Sequence, residues 1–270
     1  MVKAMSNDKT KEFSCSIIIP CHNEVGNIED CVEKIPKIGN HTELIFVDDA
    51  SNDGTAEIIE GMIEKYKGEK DIKLIRQVPH LGKSDAVRKG FDTACGEILF
   101  IYDADLTVPP EDLPKFYQPI AEGKAEFING SRMLYPMENQ AMRMLNFLAN
   151  KAFSKIFTWL LEQKITDTLC GTKVLFKKDY EKIKSERDYF GNFDPTGDFD
   201  LLFGAVHLNL RIVEIPVRYR ARVHGDIKIS RKRFRYGFLF LIMCFIGFRK
   251  LKVTKWHKTI KYFFKKNQNI

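Results

Sequence analysis

Glu97-Ile-Leu-Phe-Ile-Tyr-Asp103-Ala-Asp105-Leu-Thr107 decides the reading of this 270-residue chain. Leu99, Phe100 and Ile101 read as a buried strand, and Pro109-Pro110 stop it from continuing. Residues i and i+2 of a strand share a face, so Asp103 and Asp105 are expected to converge at its C-terminal end. Two like charges placed side by side repel. A divalent cation carrying phosphates is the natural partner for such a pair.

Working outward, other buried strands are expected at 14–20, ended by Pro20, at 43–49, ending in Asp48-Asp49, and at 71–77. Helices are expected at 27–35, 55–67 and 84–94, the second entered through the turn Asn52-Asp53-Gly54 with Gly54 or Thr55 as N-cap. Strands alternating with helices imply a parallel, doubly wound sheet. Such sheets bind ligands outside the carboxyl ends of their strands, where Pro20, Asp48/Asp49 and Asp103/Asp105 all fall. The second half is more mixed, with strands at 126–132, 173–176 and 211–219 and helices at 142–163 and 198–209. The chain reads as one domain over 14–230 with a C-terminal extension over 231–270.

The whole chain carries a net charge of +7, yet residues 227–270 hold thirteen Lys or Arg and no Asp or Glu. The remainder is therefore acidic, and the basic excess belongs to the tail, where it points to an anionic surface. Six scattered cysteines (15, 21, 31, 95, 170 and 244) with no Cys-x-x-Cys suit a reducing compartment and argue against a zinc site or disulfide framework. The polar N-terminus does not read as a signal peptide.

At this point the chain resembles the family 2 glycosyltransferases of the GT-A fold, and among them the polyprenyl-phosphate sugar transferases (dolichyl-phosphate mannose and glucose synthases). Pro20-Cys-His-Asn23-Glu24 resembles the family's Pro-x-Tyr-Asn-Glu. Val47-Asp48-Asp49-Ala-Ser51-Asn-Asp53-Gly54-Thr55 matches Val-Asp-Asp-x-Ser-x-Asp-Gly-Thr. Gly82-Lys83-x-x-Ala86-Val-Arg88-x-Gly90, Asp103-Ala104-Asp105, Gly130-Ser131-Arg132, Asp167-Thr-Leu-Cys170-Gly171-Thr-Lys173 and Arg222-x-x-Gly225-x-x-Lys228 follow in order. The sequence departs from the pattern at His22 for Tyr, Thr107 where mannose-type members often place a metal-supporting Gln, Thr172 for an aromatic, Leu202 for Glu and Ile227 for Ser.

The resemblance implies a Rossmann-like mixed sheet flanked by helices, a nucleotide-sugar donor and Mg²⁺ or Mn²⁺ at Asp103 and Asp105. It implies that Pro20, Glu24, Val47 and Asp49 line the base and ribose pocket, with His22 and Ala104 as further substrate-binding residues. Lys83, Arg132, Arg222 and Lys228 are the expected phosphate grips. A metal at the pair would neutralise charge developing on the leaving diphosphate. Asp167 is the expected catalytic or orienting carboxylate, with Asp198 and Asp200 as rival bases. Asp48 and Asp53 either serve the site or only organise the turn before a helix. Lys173, Cys170, His22 and His224 read as structural or orienting residues rather than metal ligands.

Residues 236–248 form an apolar run of thirteen flanked by basic clusters, too short for the roughly twenty residues of a membrane span. It suits a helix lying on an anionic membrane surface, or a core helix packed on the domain. The expected protein is a cytoplasmic, membrane-peripheral hexosyltransferase using a UDP-glucose-like or GDP-mannose donor and a polyprenyl-phosphate acceptor, with no nucleic acid as partner. Transfer to a hydroxyl of a glycan, polysaccharide or protein is the alternative on the same fold. A non-catalytic nucleotide or nucleic-acid binder is the alternative outside it.

Overall fold

A computed structural model describes residues 12–134, 144–187, 197–222, 224 and 233–253. Its seven strands are β1 (Cys15–Cys21), β2 (Thr42–Asp49), β3 (Asp71–Gln77), β4 (Ile98–Ile101), β5 (Phe127–Ser131), β6 (Lys173–Phe176) and β7 (Ile212–Pro216). They form one sheet in the order β3-β2-β1-β4-β6-β5-β7. The β3-β2-β1-β4 half is parallel, as the alternation of strands and helices requires. β6 makes the sheet mixed, as the family resemblance implies, because it runs antiparallel to both β4 and β5. The reason lies in the chain before it. Thr166 and Asp167 bond to Ser131 and Arg132 at the carboxyl end of β5, so β6 starts from that end and must run back.

Helices cover both faces. α1 (Ile28–Lys34), α2 (Thr55–Lys65) and α4 (Leu113–Ala121) lie on one side, where Ile28, Val32, Ile59, Met62 and Phe116 pack on Ile17, Ile19, Leu44, Phe46 and Phe100. α3 (Lys83–Thr93), α5 (Met144–Leu161), α6 (Lys177–Ser185) and α7 (Asp198–His207) cover the other, with Val87, Phe91, Phe157, Tyr180 and Phe203 against Ile18, Ile45, Leu99 and Ile101. The strict in-out alternation along β1 and β2 splits their side chains between these two cores. Gly90 lets α3 lie directly on β1, for a Cβ there would stand 2.5 Å from Ile18 Cγ2. α2 is capped by Gly54 in the left-handed region at φ 94°.

α4 and α6 are not foreshadowed by the sequence pattern. α4 carries Pro114 in its first turn, where no amide donor is needed, and Pro119 further in, which hides its periodicity. α6 is lysine-rich, and its apolar anchors reduce to Tyr180 and Ile183.

α8 (Arg233–Gly247) continues into a π-helical turn at Phe248–Val253. Met243 joins the α3-side core, and Trp159 of α5 stacks on Phe248 at 5.8 Å. The helix therefore packs on the domain along one side. Its other side exposes Phe238, Leu241 and Phe245. Among the described residues no helix is long and apolar enough to cross a membrane.

Candidate active site

β1, β2 and β4 end side by side. Pro20 pairs with Val47 and Cys21 with Asp48, and Tyr102 N–H donates to Ile18 O just beyond β4. β4 stops at Ile101, earlier than expected, so Asp103 and Asp105 are carried by the turn that follows. Leu106, at φ 54°, turns the chain, and the Tyr102 hydroxyl closes the turn by donating to Val108 O at 2.6 Å. Strand geometry therefore does not bring the two carboxylates together; each is placed by its own partners.

Asp103 Oδ1 lies 2.5 Å from Lys83 Nζ, at the first residue of α3. Gly171 packs against this pair, for a Cβ there would fall 2.1 Å from Asp103 Oδ2 and 2.8 Å from Lys83 Nζ. Asp105 Oδ1 accepts from Thr107 N–H (3.2 Å) and from the Thr107 hydroxyl (2.8 Å). Thr107, the departure from the family's Gln, thus holds the carboxylate directly. Asp105 Oδ2 faces Arg222 Nη1 at 3.5 Å. Burial raises the pKa of Asp105 and the neighbouring Asp103 charge adds to it. Burial pushes Asp103 the same way, but Lys83 outweighs it and holds Asp103 below its usual range. Two carboxylates driven apart like this are short of positive charge.

Arg222 joins two predicted residues from distant parts of the chain. It ion-pairs with Glu24 as well as facing Asp105, and its Nε donates to His224 O at 2.6 Å. Glu24 is buried and also accepts from Asn27 Nδ2 at 2.8 Å. The segment carrying Arg222 is pinned by Arg220 N–H to Thr107 O at 2.8 Å and by Arg218 to Asp112.

Asp167, expected as a catalytic or orienting carboxylate, is engaged on every side. Its side chain is 0% exposed and its carboxylate accepts from Arg132 N–H, Nε and Nη2, from Asn150 Nδ2 and from Leu169 N–H, all at 2.7–3.0 Å. Burial opposes its ionisation, yet Arg132 and the other donors bring its pKa down to about 2. A carboxylate so saturated is no proton acceptor near neutrality; it orients Arg132, whose guanidinium also lies over the Tyr219 ring at 5.2 Å. Asp200 is likewise engaged, by Arg88 (3.4 Å) and Arg187 (2.9 Å). The Asp198 side chain and Lys228 lie outside the described residues.

Asp49 closes β2, and its Oδ1 accepts from Gln77 Nε2 and Leu81 N–H, while Oδ2 accepts from Gly82 N–H and faces His80 Nδ1, all at 2.7–2.8 Å. Its carboxylate therefore builds the 80–82 loop leading to Lys83. His22, beside it, bonds Asp49 O through Nδ1 at 2.7 Å and lies against His80 with ring centroids 4.3 Å apart. Asp53 takes the turn reading, accepting from Thr55 N–H and Val25 N–H. Asp48 does the same through Ser51 N–H. Ala104 is buried, with its carbonyl accepting from Cys31 Sγ.

Several residues of the site gave no local signal. Glu214 accepts from Thr166 N–H, Asp167 N–H and Asn129 Nδ2, and so fixes the 166–167 turn. Asn150, a polar residue within an apolar helix, was the one legible hint. Lys173 is fully buried and donates to Cys170 O at 2.6 Å, holding the turn that presents Gly171 to Asp103.

A hard divalent cation fits this crevice. Asp103 and Asp105 offer the oxygen ligands such an ion takes, and Gly171 lets the chain pack directly on Asp103, where a Cβ would fall 2.1 Å from Oδ2. Among the described residues no third metal-binding side chain joins them, so phosphate or water oxygens would complete the shell.

The family model for Glycosyl transferase family 2 matches residues 16–184. The chain is 29% identical over 223 residues to a dolichol-phosphate mannosyltransferase of Pyrococcus furiosus, covering 80% of this chain and 59% of that protein. It is 36% identical over 110 residues to the Saccharomyces cerevisiae dolichol-phosphate mannosyltransferase, covering 39% of this chain and 40% of that protein. The chain thus spans less than two thirds of the length of either relative. Among solved structures, a mannosyltransferase from Pyrobaculum calidifontis in complex with GDP-Man and Mn²⁺ superposes with a TM-score of 0.56 at 20% identity, covering 84% of this chain and 61% of that one. Glucosyl-3-phosphoglycerate synthase from Mycobacterium tuberculosis in complex with UDP superposes with a TM-score of 0.62 at 18% identity, covering 90% and 86%. At these identities the two structures establish the fold.

Proposed function

The chain belongs to glycosyl transferase family 2, and from that premise we propose that it is a metal-dependent hexosyltransferase moving sugar from a nucleotide-sugar donor to a polyprenyl phosphate. The catalytic unit is taken as 14–230. Mg²⁺ or Mn²⁺, when held by Asp103 and Asp105, would neutralise the charge that gathers on the departing diphosphate. Lys83 and Arg222 stand beside the two carboxylates and reach the same phosphates. Pro20, His22, Glu24 and Val47 line the base and ribose end, over a floor shaped by Asp49. Arg132, aimed by Asp167 and Tyr219, holds the acceptor anion together with Lys228.

One observation carries the choice of acceptor. Of the three carboxylates considered as general base, Asp167 and Asp200 are each committed to arginines. A hydroxyl acceptor must lose a proton during attack, whereas a phosphate acceptor arrives as an anion and needs cations to place it. Incubation of UDP- and GDP-hexoses with Mn²⁺ is expected to release nucleoside diphosphate when a short prenyl phosphate is added. Release driven by a glycan hydroxyl, with the prenyl phosphate inert, would overturn this assignment.

The extension at 231–270 supports work at a membrane face, on the cytoplasmic side in this reading. Phe238, Leu241 and Phe245 sit three and four residues apart, and Trp159 on α5 is exposed beside Lys155. Apolar and basic groups so combined suit an anionic bilayer surface. Phe245→Glu is expected to lower sedimentation with phosphatidylglycerol vesicles by about tenfold and to leave turnover of a short, water-soluble acceptor unchanged. Wild-type sedimentation by the variant would remove α8 from the membrane contact.

A further inference from the structure

Both carboxylates of the candidate metal site already hold a cation of the chain's own. Lys83 comes from the first turn of α3 and Arg222 from the segment after β7. Three carboxylates (Asp103, Asp105 and Glu24) therefore face two cations, which leaves the cluster one positive charge short. A divalent cation entering alone must displace Lys83 or Arg222 from its aspartate and turns the cluster from one positive charge short to one in excess. A diphosphate entering alone must approach the carboxylates. When the two enter together, the phosphates supply new partners for the displaced cations.

Resting on the nucleotide-sugar reading, we propose that Lys83 and Arg222 are exchangeable counter-ions, seated on Asp103 and Asp105 until a divalent cation and a nucleoside diphosphate arrive together, and then passed to the phosphates.

The surroundings suit a hand-over made by side chains. Gly171 packs closely on both Asp103 and Lys83, and Nζ sits on Asp103 Oδ1 at 2.5 Å, so a cation bound to that oxygen competes with Nζ for it. The Arg222 segment is pinned next to it by Arg220 N–H on Thr107 O and by Arg218 on Asp112, which keeps its backbone in place while its long side chain moves. Glu24 gives the guanidinium a second anchor beside Asp105. Thr107 keeps Asp105 Oδ1 oriented, since its bonds use neutral donors that need not leave. The metal and the diphosphate then bind with positive coupling, and neither binds well alone.

The test is titration of the full chain with Mn²⁺, read by the loss of the free-ion electron paramagnetic resonance signal, alone and with UDP or GDP. The wild type is expected to bind Mn²⁺ at least about tenfold more tightly when the diphosphate is present. Lys83→Met and Arg222→Gln are each expected to bind Mn²⁺ alone about tenfold more tightly than wild type, because a competing cation is gone, and to lose most of the coupling. Arg222→Lys, which keeps the charge, is expected to stay close to wild type. Variants that bind Mn²⁺ alone no better than wild type overturn the proposal, as does coupling that persists in both. Each cation is tested separately, and thermal unfolding confirms that each variant is folded. If Mn²⁺ and the diphosphates bind the wild type independently, the exchange falls while the donor reading stands. If neither diphosphate binds at all, both fall.

Discussion

Asp105→Asn is expected to lower sugar transfer by on the order of 10²- to 10³-fold while leaving the fold intact. The substitution removes the ligand charge but keeps an oxygen that can accept from Thr107. Its effect on stability should be small or favourable, since burial and the Asp103 charge already work against ionised Asp105 in the absence of a divalent cation. Arg222 retains Glu24 as a partner. Steady-state turnover and an unfolding curve on the same preparation separate the two effects. A variant that loses stability in step with activity would mark Asp105 as a scaffold residue rather than a ligand.

Asp167→Ala is expected to act in the opposite way, as a loss of stability of about 3–5 kcal/mol, the range seen when one member of a buried ion pair is removed. Arg132 would be left enclosed without its counter-charge, and Asn150 and the 169 amide would lose their acceptor. Urea unfolding measures this directly. Asp167→Asn should cost less, because most of the donors keep an oxygen. The pH dependence has a definite sign. The folded pKa of about 2 lies below the ordinary 3.8, so the ionised carboxylate stabilises the fold above about pH 4. That contribution, on the order of 2 kcal/mol, is lost as pH falls from about 4 to about 2. The stability difference between wild type and Asp167→Asn should narrow across that window. A difference that does not change with pH would mean that Asp167 is not held ionised by Arg132.

The contrast between these two aspartates shows what the sequence could carry. The strands were legible because buried parallel strands write themselves as apolar runs. Asp71–Gln77 and Lys173–Phe176 fall where the pattern places them. Partners that lie far away in the chain were not legible. Arg132 and Asp167 are separated by 35 residues, and nothing local tells a proton acceptor from the counter-ion of a buried arginine. Asp49 is the same case, since its role depends on where the 80–82 amides fall. The length of β4 and the direction of β6 were set by pairing across the sheet rather than by their own residues. In the tail, α8 buries Met243 on the domain and exposes Phe245 on its other side, a division that an apolar run of this kind does not spell out.

The proposed transfer runs from a metal-bound nucleotide sugar in the Asp103–Asp105 crevice to a lipid phosphate. Its most direct test is a panel of radiolabelled UDP- and GDP-sugars incubated with Mn²⁺ and a short prenyl phosphate, followed by extraction into organic solvent. Label from one donor is predicted to enter the organic phase with wild type, and to stay in water when the prenyl phosphate is omitted, when EDTA is added, or with Asp105→Asn. Label that remains aqueous for every donor, or transfer that survives EDTA, would contradict the account.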